Sequence, residues 1–383
     1  MKIKLVFLII LAFILVFVPK TSIAYADELS DNIKEQLNNL DLSALDDYYL
    51  SLDNSSNNSV YTLITDILNG KFNEGSENFF NYVIKNAFAY FSQYAPTIVA
   101  VLAIIIIASI INNLRSNFGG EGVANVINLI CVLSAILLLS SCIVASYNNT
   151  KNTIDYIANL VEIMSPIMLS LMVAVGGKVS ASIYSPTVAF LTTIIINVIL
   201  NVVIPLIIVS TIFSIISNFT QTIKLNKFSE CANGIIKWII GIVITIFTIF
   251  LSIQGIASAT IDGVSIKAAK YAISNSVPIV GGFLRDGFDV FVAGSVLIKN
   301  SIGIASVIAL LYTIISPILN MATLSILLKL AAGVGELFSE EKISNVCITL
   351  SKSLTYFIAT TFIVALMVFI LVLLIILSAN AFI

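Results

Sequence analysis

Residues 356–377 read YFIATTFIVALMVFILVLLIIL. No charged side chain interrupts this run, and a helix of that length crosses the roughly 30 Å hydrocarbon core of a bilayer, which needs about 20 apolar residues. Working outward, four more runs meet the same rule: residues 302–328, 235–256, 123–145 and 94–111. A sixth, residues 186–217, would be about 48 Å long if straight. It is too long for one upright crossing and too short for two, and it contains Pro205. It reads as a steeply tilted or proline-kinked helix, with a membrane hairpin as the other reading.

Composition agrees. The chain has 383 residues, 58% apolar and 10% charged, where a soluble domain carries roughly 45–50% and about 25%. Mean hydropathy is +1.05. A single water-soluble globule is excluded, and the expected fold class is an all-α, polytopic helical membrane protein with about six or seven spans. The net charge of -2 gives no basic excess for nucleic acid.

Several chemistries fall away together. Histidine is absent, and Cys131, Cys142, Cys231 and Cys347 are far apart with no C-x-x-C pair. A Ser-His-Asp triad, a Cys-His pair and a histidine-held haem each need a residue the chain lacks, and a zinc site would need histidine or closely paired cysteines. Cys131 and Cys142 read as small buried apolar residues. No glycine pair is followed by the Lys-Ser or Lys-Thr of a phosphate-binding loop. The expectation is a protein without catalysis, cofactor or metal, driven from elsewhere if it does work.

Sidedness begins at the N-terminus. Lys2 and Lys4, an apolar run over residues 5–18 and Ala24-Tyr25-Ala26 before Asp27 form a secretory signal pattern, so residues 1–26 are expected to be a cleaved signal peptide. From Asp27 to Lys85 there are eleven carboxylates against three lysines. Residues 27–93 are expected to be an acidic extracytoplasmic helical region, followed by the polytopic domain of residues 94–383. Within it Leu29, Ile33, Leu37 and Leu40 are helically spaced, as are Val60, Ile64, Ile67 and Leu68. A polar linker, residues 53–59, separates them, and residues 79–91 form a third amphipathic stretch.

Two regions are broken. Asp155, Glu162 and Pro166 interrupt residues 154–175, which end at Gly176, Gly177 and Lys178. If this segment is interfacial or re-entrant, Lys224, Lys227 and Lys237 fall in the cytoplasm and obey the positive-inside tendency. If it crosses, they do not. The second region, residues 254–300, mixes small apolar residues with Gln254, Asp262, Lys267, Lys270, Arg285, Asp286, Asp289 and Lys299, and Pro278 with Gly281 and Gly282 breaks it. Ionisable groups at membrane depth cost about 2.5–3.5 kcal/mol unless paired or facing water. These eleven residues are the candidate pore-lining or partner-docking set, and Gly176, Gly177 and Lys178 are a candidate backbone break. An amphipathic helix in the headgroup region, with Arg285 and Asp289 paired across one turn, is the plainer reading.

The strings Ser165-Pro166-Ile167-Met168-Leu169, Val175-Gly176-Gly177-Lys178-Val179-Ser180-Ala181-Ser182, Gln254-Gly255, Asp262-Gly263, Val277-Pro278-Ile279-Val280-Gly281-Gly282 and Leu297-Ile298-Lys299-Asn300 resemble the stage III sporulation protein AE family of endospore-forming bacteria. The resemblance is specific from about residue 155 onward; before that, charge and hydropathy carry it. It implies a component of the secretion-like channel apparatus between mother cell and engulfed forespore, seated in the mother-cell membrane around the forespore. The implied partners are the other stage III membrane proteins and a cytoplasmic ATPase-like subunit, besides the lipid bilayer. Several copies of the chain could also associate around one path. The family carries no catalytic residues to transfer. A stand-alone secondary transporter of a small solute is the alternative, resting on the paired breaks at Gly176-Gly177 and Gly281-Gly282.

Overall fold

A computed structural model describes residues 27–52, 59–69, 75–113, 121–219, 225–276 and 281–378. The expected signal peptide, most of the polar linker and Pro278 lie outside the described residues. Every described element is helical. In chain order they are α1 (Asp27–Asn38), α2 (Ser43–Leu52), α3 (Val60–Leu68), α4 (Gly75–Asn113), α5 (Glu121–Ala174), α6 (Lys178–Ala189), α7 (Ile196–Val198), α8 (Ile204–Phe219), α9 (Asn226–Ser276), α10 (Gly281–Leu337) and α11 (Glu341–Leu377). Helix α2 was not legible as a helix. Its signal is the Asp41 carboxylate, which accepts from the Ser43 backbone N–H at 3.1 Å and the Ser43 hydroxyl at 2.6 Å.

Polar contacts set the register. Helices α10 and α11 form an antiparallel hairpin in which the Ser325 and Ser351 hydroxyls meet at 2.8 Å and Ser344 Oγ donates to the Ala332 carbonyl at 2.9 Å. The turn is tight enough to hold Ser339 at φ 61. Helix α4 runs parallel to α10: Tyr90 meets Ser316, Tyr94 donates to Asn320 Oδ1 at 2.8 Å, and Asn112 reaches Glu340. Helix α5 runs antiparallel to α10, with Thr150 Oγ1 3.3 Å from Met321 Sδ. Helices α8 and α9 are tied by Ser210, which lies 3.1 Å from Ser229 Oγ and donates to Asn233 Oδ1 at 2.9 Å.

One end of the bundle therefore gathers the end of α4 and start of α5, the end of α8 and start of α9, and the α10–α11 turn, with Lys227, Lys237, Lys329, Lys342 and Lys352 in the flanking turns beside Glu230, Glu336, Glu340 and Glu341. We call it the basic end after its lysines, which bear on sidedness where carboxylates contribute little. The opposite end gathers α1, α2, α3, the α5–α6 break and the C-terminus of α11.

Among the described residues six runs are long and apolar enough to cross a membrane: Asn81–Asn113, Val126–Ala174, Lys178–Asn218, Lys227–Ser252, Asp289–Leu337 and Glu341–Leu377. Several far exceed the bilayer. At 1.5 Å per residue, α5 with its 54 residues runs about 80 Å against a core of about 30 Å. Exposed apolar side chains show which half meets lipid. On α5 seven of them, Val126, Leu129, Ile130, Leu133, Leu137, Leu138 and Val144, lie in the first half, and in the second half Lys151, Asn152, Asp155 and Glu162 share the outer face with only Tyr156 and Val173. The inner face of the second half stays apolar and enclosed through Ile154, Ile157, Val161, Met164 and Met168. An apolar belt thus surrounds the basic half, and the other half stands beyond it as a helical head.

The expectation for residues 154–175 needs correction. They are neither a separate re-entrant segment nor a seventh span but the amphipathic continuation of α5, which passes Pro166 unbroken and ends at Ala174. The charges that seemed to interrupt a membrane run instead face outward from the head.

Residues 186–217 form a single rising run, not a hairpin. It widens into π turns at Phe190–Ile195 and Ile199–Val203, the second ending just before Pro205. Proline cannot donate to the carbonyl four residues earlier, and a wider turn accommodates the missing bond. Cys131, Cys142 and Cys347 are buried and Cys231 is exposed.

Candidate functional site: the enclosed first half of α10

Helix α10 is central in the head, and it carries the only two of the eleven candidate residues whose side chains are described. Asp289 is half-buried. Lys299 is fully buried, and its ammonium donates to the carbonyls of Ile375 at 3.2 Å, Ile376 at 3.0 Å and Ser378. The last carbonyls of a helix have no partner within it, and a lysine placed there satisfies them and complements the negative end of the helix dipole. Four residues on, Gly303 permits the approach. A Cβ there would stand 2.5 Å from Ile376 Cγ1 and 3.0 Å from Met168 Cε.

The acidic N-terminal helices are the cover over this segment. Ile33 and Leu37 bury one face of α1 against α10, and the Gln36 side chain brackets a turn of α10, donating to the Phe291 carbonyl at 3.1 Å and accepting from Ser295 Oγ at 2.6 Å. Gly294 lies beneath, where a Cβ would meet Asn32 Oδ1 at 2.9 Å. Helix α2 inserts two tyrosines. Tyr48 meets Thr313 Oγ1 at 2.8 Å and donates to the Tyr156 carbonyl at 3.3 Å, while Tyr49 donates to the Ala305 carbonyl. Helix α3 buries Val60, Ile64 and Leu68 against α10 and is held by Asp46, which accepts from the Val60 backbone N–H at 2.5 Å.

Burial governs the titration of these groups. The Tyr48 phenol is pushed up to about 12 because the phenolate would lose its hydration, and Tyr49 rises for the same reason. Exposed Asp41 is held below the usual carboxylate range by the Ser43 hydroxyl and backbone N–H.

For the rest of the candidate set the backbone alone speaks. Gln254, Asp262, Lys267 and Lys270 lie on the second half of α9, and Gly281, Gly282, Arg285 and Asp286 on the opening turns of α10. Their side chains lie outside the described residues, as does the expected Arg285–Asp289 pair. The α5–α6 break is a tight reversal in which Gly176 adopts φ 95, Gly177 caps α6 and exposed Lys178 is its first residue. Among the described residues, no group of three or more His, Cys, Asp or Glu could hold a metal ion.

Sequence reasoning missed Tyr48, Tyr49, Gln36, Gly294 and Gly303. Tyr48 and Tyr49 do fall at helical spacing with Leu45 and Leu52, a pattern that marks a buried stripe. Nothing local marks the two glycines as crossing points.

Comparison with known proteins finds a match along nearly the whole bundle. Residues 58–379 match the family described as stage III sporulation protein AE. That span begins well before residue 155, taking in α3, α4 and the first half of α5. The chain is similar to stage III sporulation protein AE of Bacillus subtilis (strain 168), 26% identical over 279 residues that cover 73% of this chain and 70% of the relative. No solved structure matches. On the extent of the match, this chain belongs to the stage III sporulation protein AE family.

Proposed function

We propose that the chain is a membrane subunit of the channel complex joining mother cell and forespore during endospore formation, that it is needed for forespore development after engulfment, and that it has no catalysis of its own. Its family membership over residues 58–379 carries this reading. The build of the chain supports it: helices of about 80 Å lift a head well clear of the apolar belt, where neighbouring subunits can dock.

The lysine-bearing turns support a cytoplasmic basic end by the positive-inside tendency. The acidic helices α1–α3 are then exported, in keeping with a signal peptide. In the mother-cell membrane around the forespore, the head enters the space between the two membranes and meets other stage III membrane proteins. The basic end faces a cytoplasmic ATPase-like subunit. A solitary transporter is less well supported. Its paired breaks would oppose one another near the midplane, whereas the α5–α6 break and the opening turns of α10 both belong to the head half of the bundle.

The test is deletion in the native spore former. Engulfed forespores that fail to mature, with rescue by the intact chain, are expected, together with co-purification of other stage III membrane proteins from sporulating cells. Normal spore yield without the chain would overturn the proposal.

A further inference from the structure

A second feature lies at the other end of the molecule. Between α8, α9 and α11, about three turns in from their basic ends, is a cavity of about 330 Å³ lined by Ser210, Ser214, Asn233, Lys237, Lys352 and Tyr356, among others. Its lining is rich in donors. Two lysines, an amide and several hydroxyls face it, and none of its lining residues is a carboxylate.

Part of this polarity is structural. Ser210 bonds both Ser229 and Asn233, and Thr211 bonds Ser353, which ties the three helices together. Such hydroxyl contacts are ordinary glue between membrane helices. The lysines are not consumed in this way. Among the described residues the ion pairs are Lys34 with Asp31 and Lys227 with Glu230, and neither Lys237 nor Lys352 has a carboxylate partner. Both lysines are exposed at the rim of the cavity, and with no acid among its lining residues an anion is the charge that it fits.

The surroundings say where that anion comes from. Trp238, next to Lys237, is 71% exposed, and Ile235, Ile242 and Val209 continue the exposed apolar surface on either side. Tryptophan at such a position marks the lipid interface, and flexible lysine stems let the ammonium groups lean toward the headgroup level. Basic pockets between membrane helices hold anionic headgroups by this arrangement.

We propose that the cavity between α8, α9 and α11 binds a phosphate group, presented by an anionic phospholipid whose headgroup enters between Lys237 and Lys352. The hydroxyls and Asn233 add hydrogen bonds to the phosphate oxygens, and the acyl chains lie along Trp238 and the isoleucines of α9.

Trp238 is the single tryptophan of the chain and supplies the readout. The full chain is reconstituted in phosphatidylcholine vesicles containing phosphatidylglycerol, with bromine on the acyl chains of one lipid or the other. The expected result is about fivefold enrichment of the brominated anionic lipid at Trp238, the size of one surface lysine's attraction. The preference should vanish in the Lys237→Gln/Lys352→Gln variant. It should persist in Lys329→Gln/Lys342→Gln, which removes the same charge from the same end, and in Lys237→Arg/Lys352→Arg. If no lipid preference is found but inorganic phosphate shifts Trp238 emission in the wild type and not in the Gln variant, the phosphate site stands with a soluble source. No preference and no phosphate response, or a preference unchanged in the Lys237→Gln/Lys352→Gln variant, overturns the proposal.

Discussion

Lys299 Nζ and the Ile376 carbonyl oxygen stand 3.0 Å apart, joining residues on α10 and α11 at the far end of the hairpin. The hairpin is thereby closed at both ends, by Ser339 at the turn and by Lys299 on the final carbonyls. Replacing Lys299 by Met keeps the stem and removes the donor, leaving three carbonyls short of a partner. The expected cost is about 1–3 kcal/mol, read as a lower midpoint of thermal aggregation in detergent. An unchanged midpoint would show that water replaces the ammonium there.

Close approach at Gly303 makes a second prediction. Gly303→Val must displace Ile376 and Met168 and should cost about 1–3 kcal/mol by overpacking. Gly303→Val with Ile376→Ala should recover part of that loss, and a double variant no better than the single would count against the contact.

Helix α2 should detach at alkaline pH. The Tyr48 phenol titrates near 10 when unfolded and is pushed up to about 12 when folded. Its stabilising contribution is thus complete below pH 10 and is lost as pH rises through 12. Proteolysis of the N-terminal region should accelerate across that window. In Tyr48→Phe the step attributable to Tyr48 should be absent, and the head should be weaker by about 1 kcal/mol at neutral pH.

Two positions hold positive φ. Gly176 at φ 95 should tolerate Ala poorly, losing about 1–2 kcal/mol. Ser339 at φ 61 should gain modestly on replacement by Gly, up to about 1 kcal/mol. Opposite signs in thermal midpoint are the expected pattern, and equal effects would argue against the two turns.

Cysteine labelling checks the proposed orientation. Cys231 is the exposed cysteine and sits near the basic end, whereas Cys131, Cys142 and Cys347 are buried. A membrane-impermeant maleimide should label the chain only after the cytoplasmic face is opened, and at Cys231. Labelling of Cys231 in intact cells would reverse the orientation.

Much of the architecture was legible because hydrophobic run length answers directly to bilayer thickness. The six runs, the amphipathic stripes of α1 and α3 and the buried Cys131 and Cys142 all follow from local pattern. Residues 154–175 misled for a physical reason. Asp155 and Glu162 are costly in lipid, so a reading that places every apolar run in the membrane must bend the chain away, whereas α5 carries them past the apolar belt and turns them outward. Helix α2 was missed because its stripe is short and its cap stands two residues ahead of it.

By itself the sequence determined that this chain is helical, where membrane-length runs lie and which chemistries it lacks, since composition and periodicity act through the solvent each residue meets. Only the tertiary structure decided which runs face lipid and which face protein. Residues 356–377, the most uniformly apolar stretch, belong to one of the two most enclosed spans, while Lys227–Ser252 is the least enclosed. Apolar side chains are equally at home against lipid tails and against one another, so hydropathy cannot separate the two. The partners of Lys299 and the joining of Lys237 to Lys352 in one cavity likewise arise from helix register, which links residues distant in the chain.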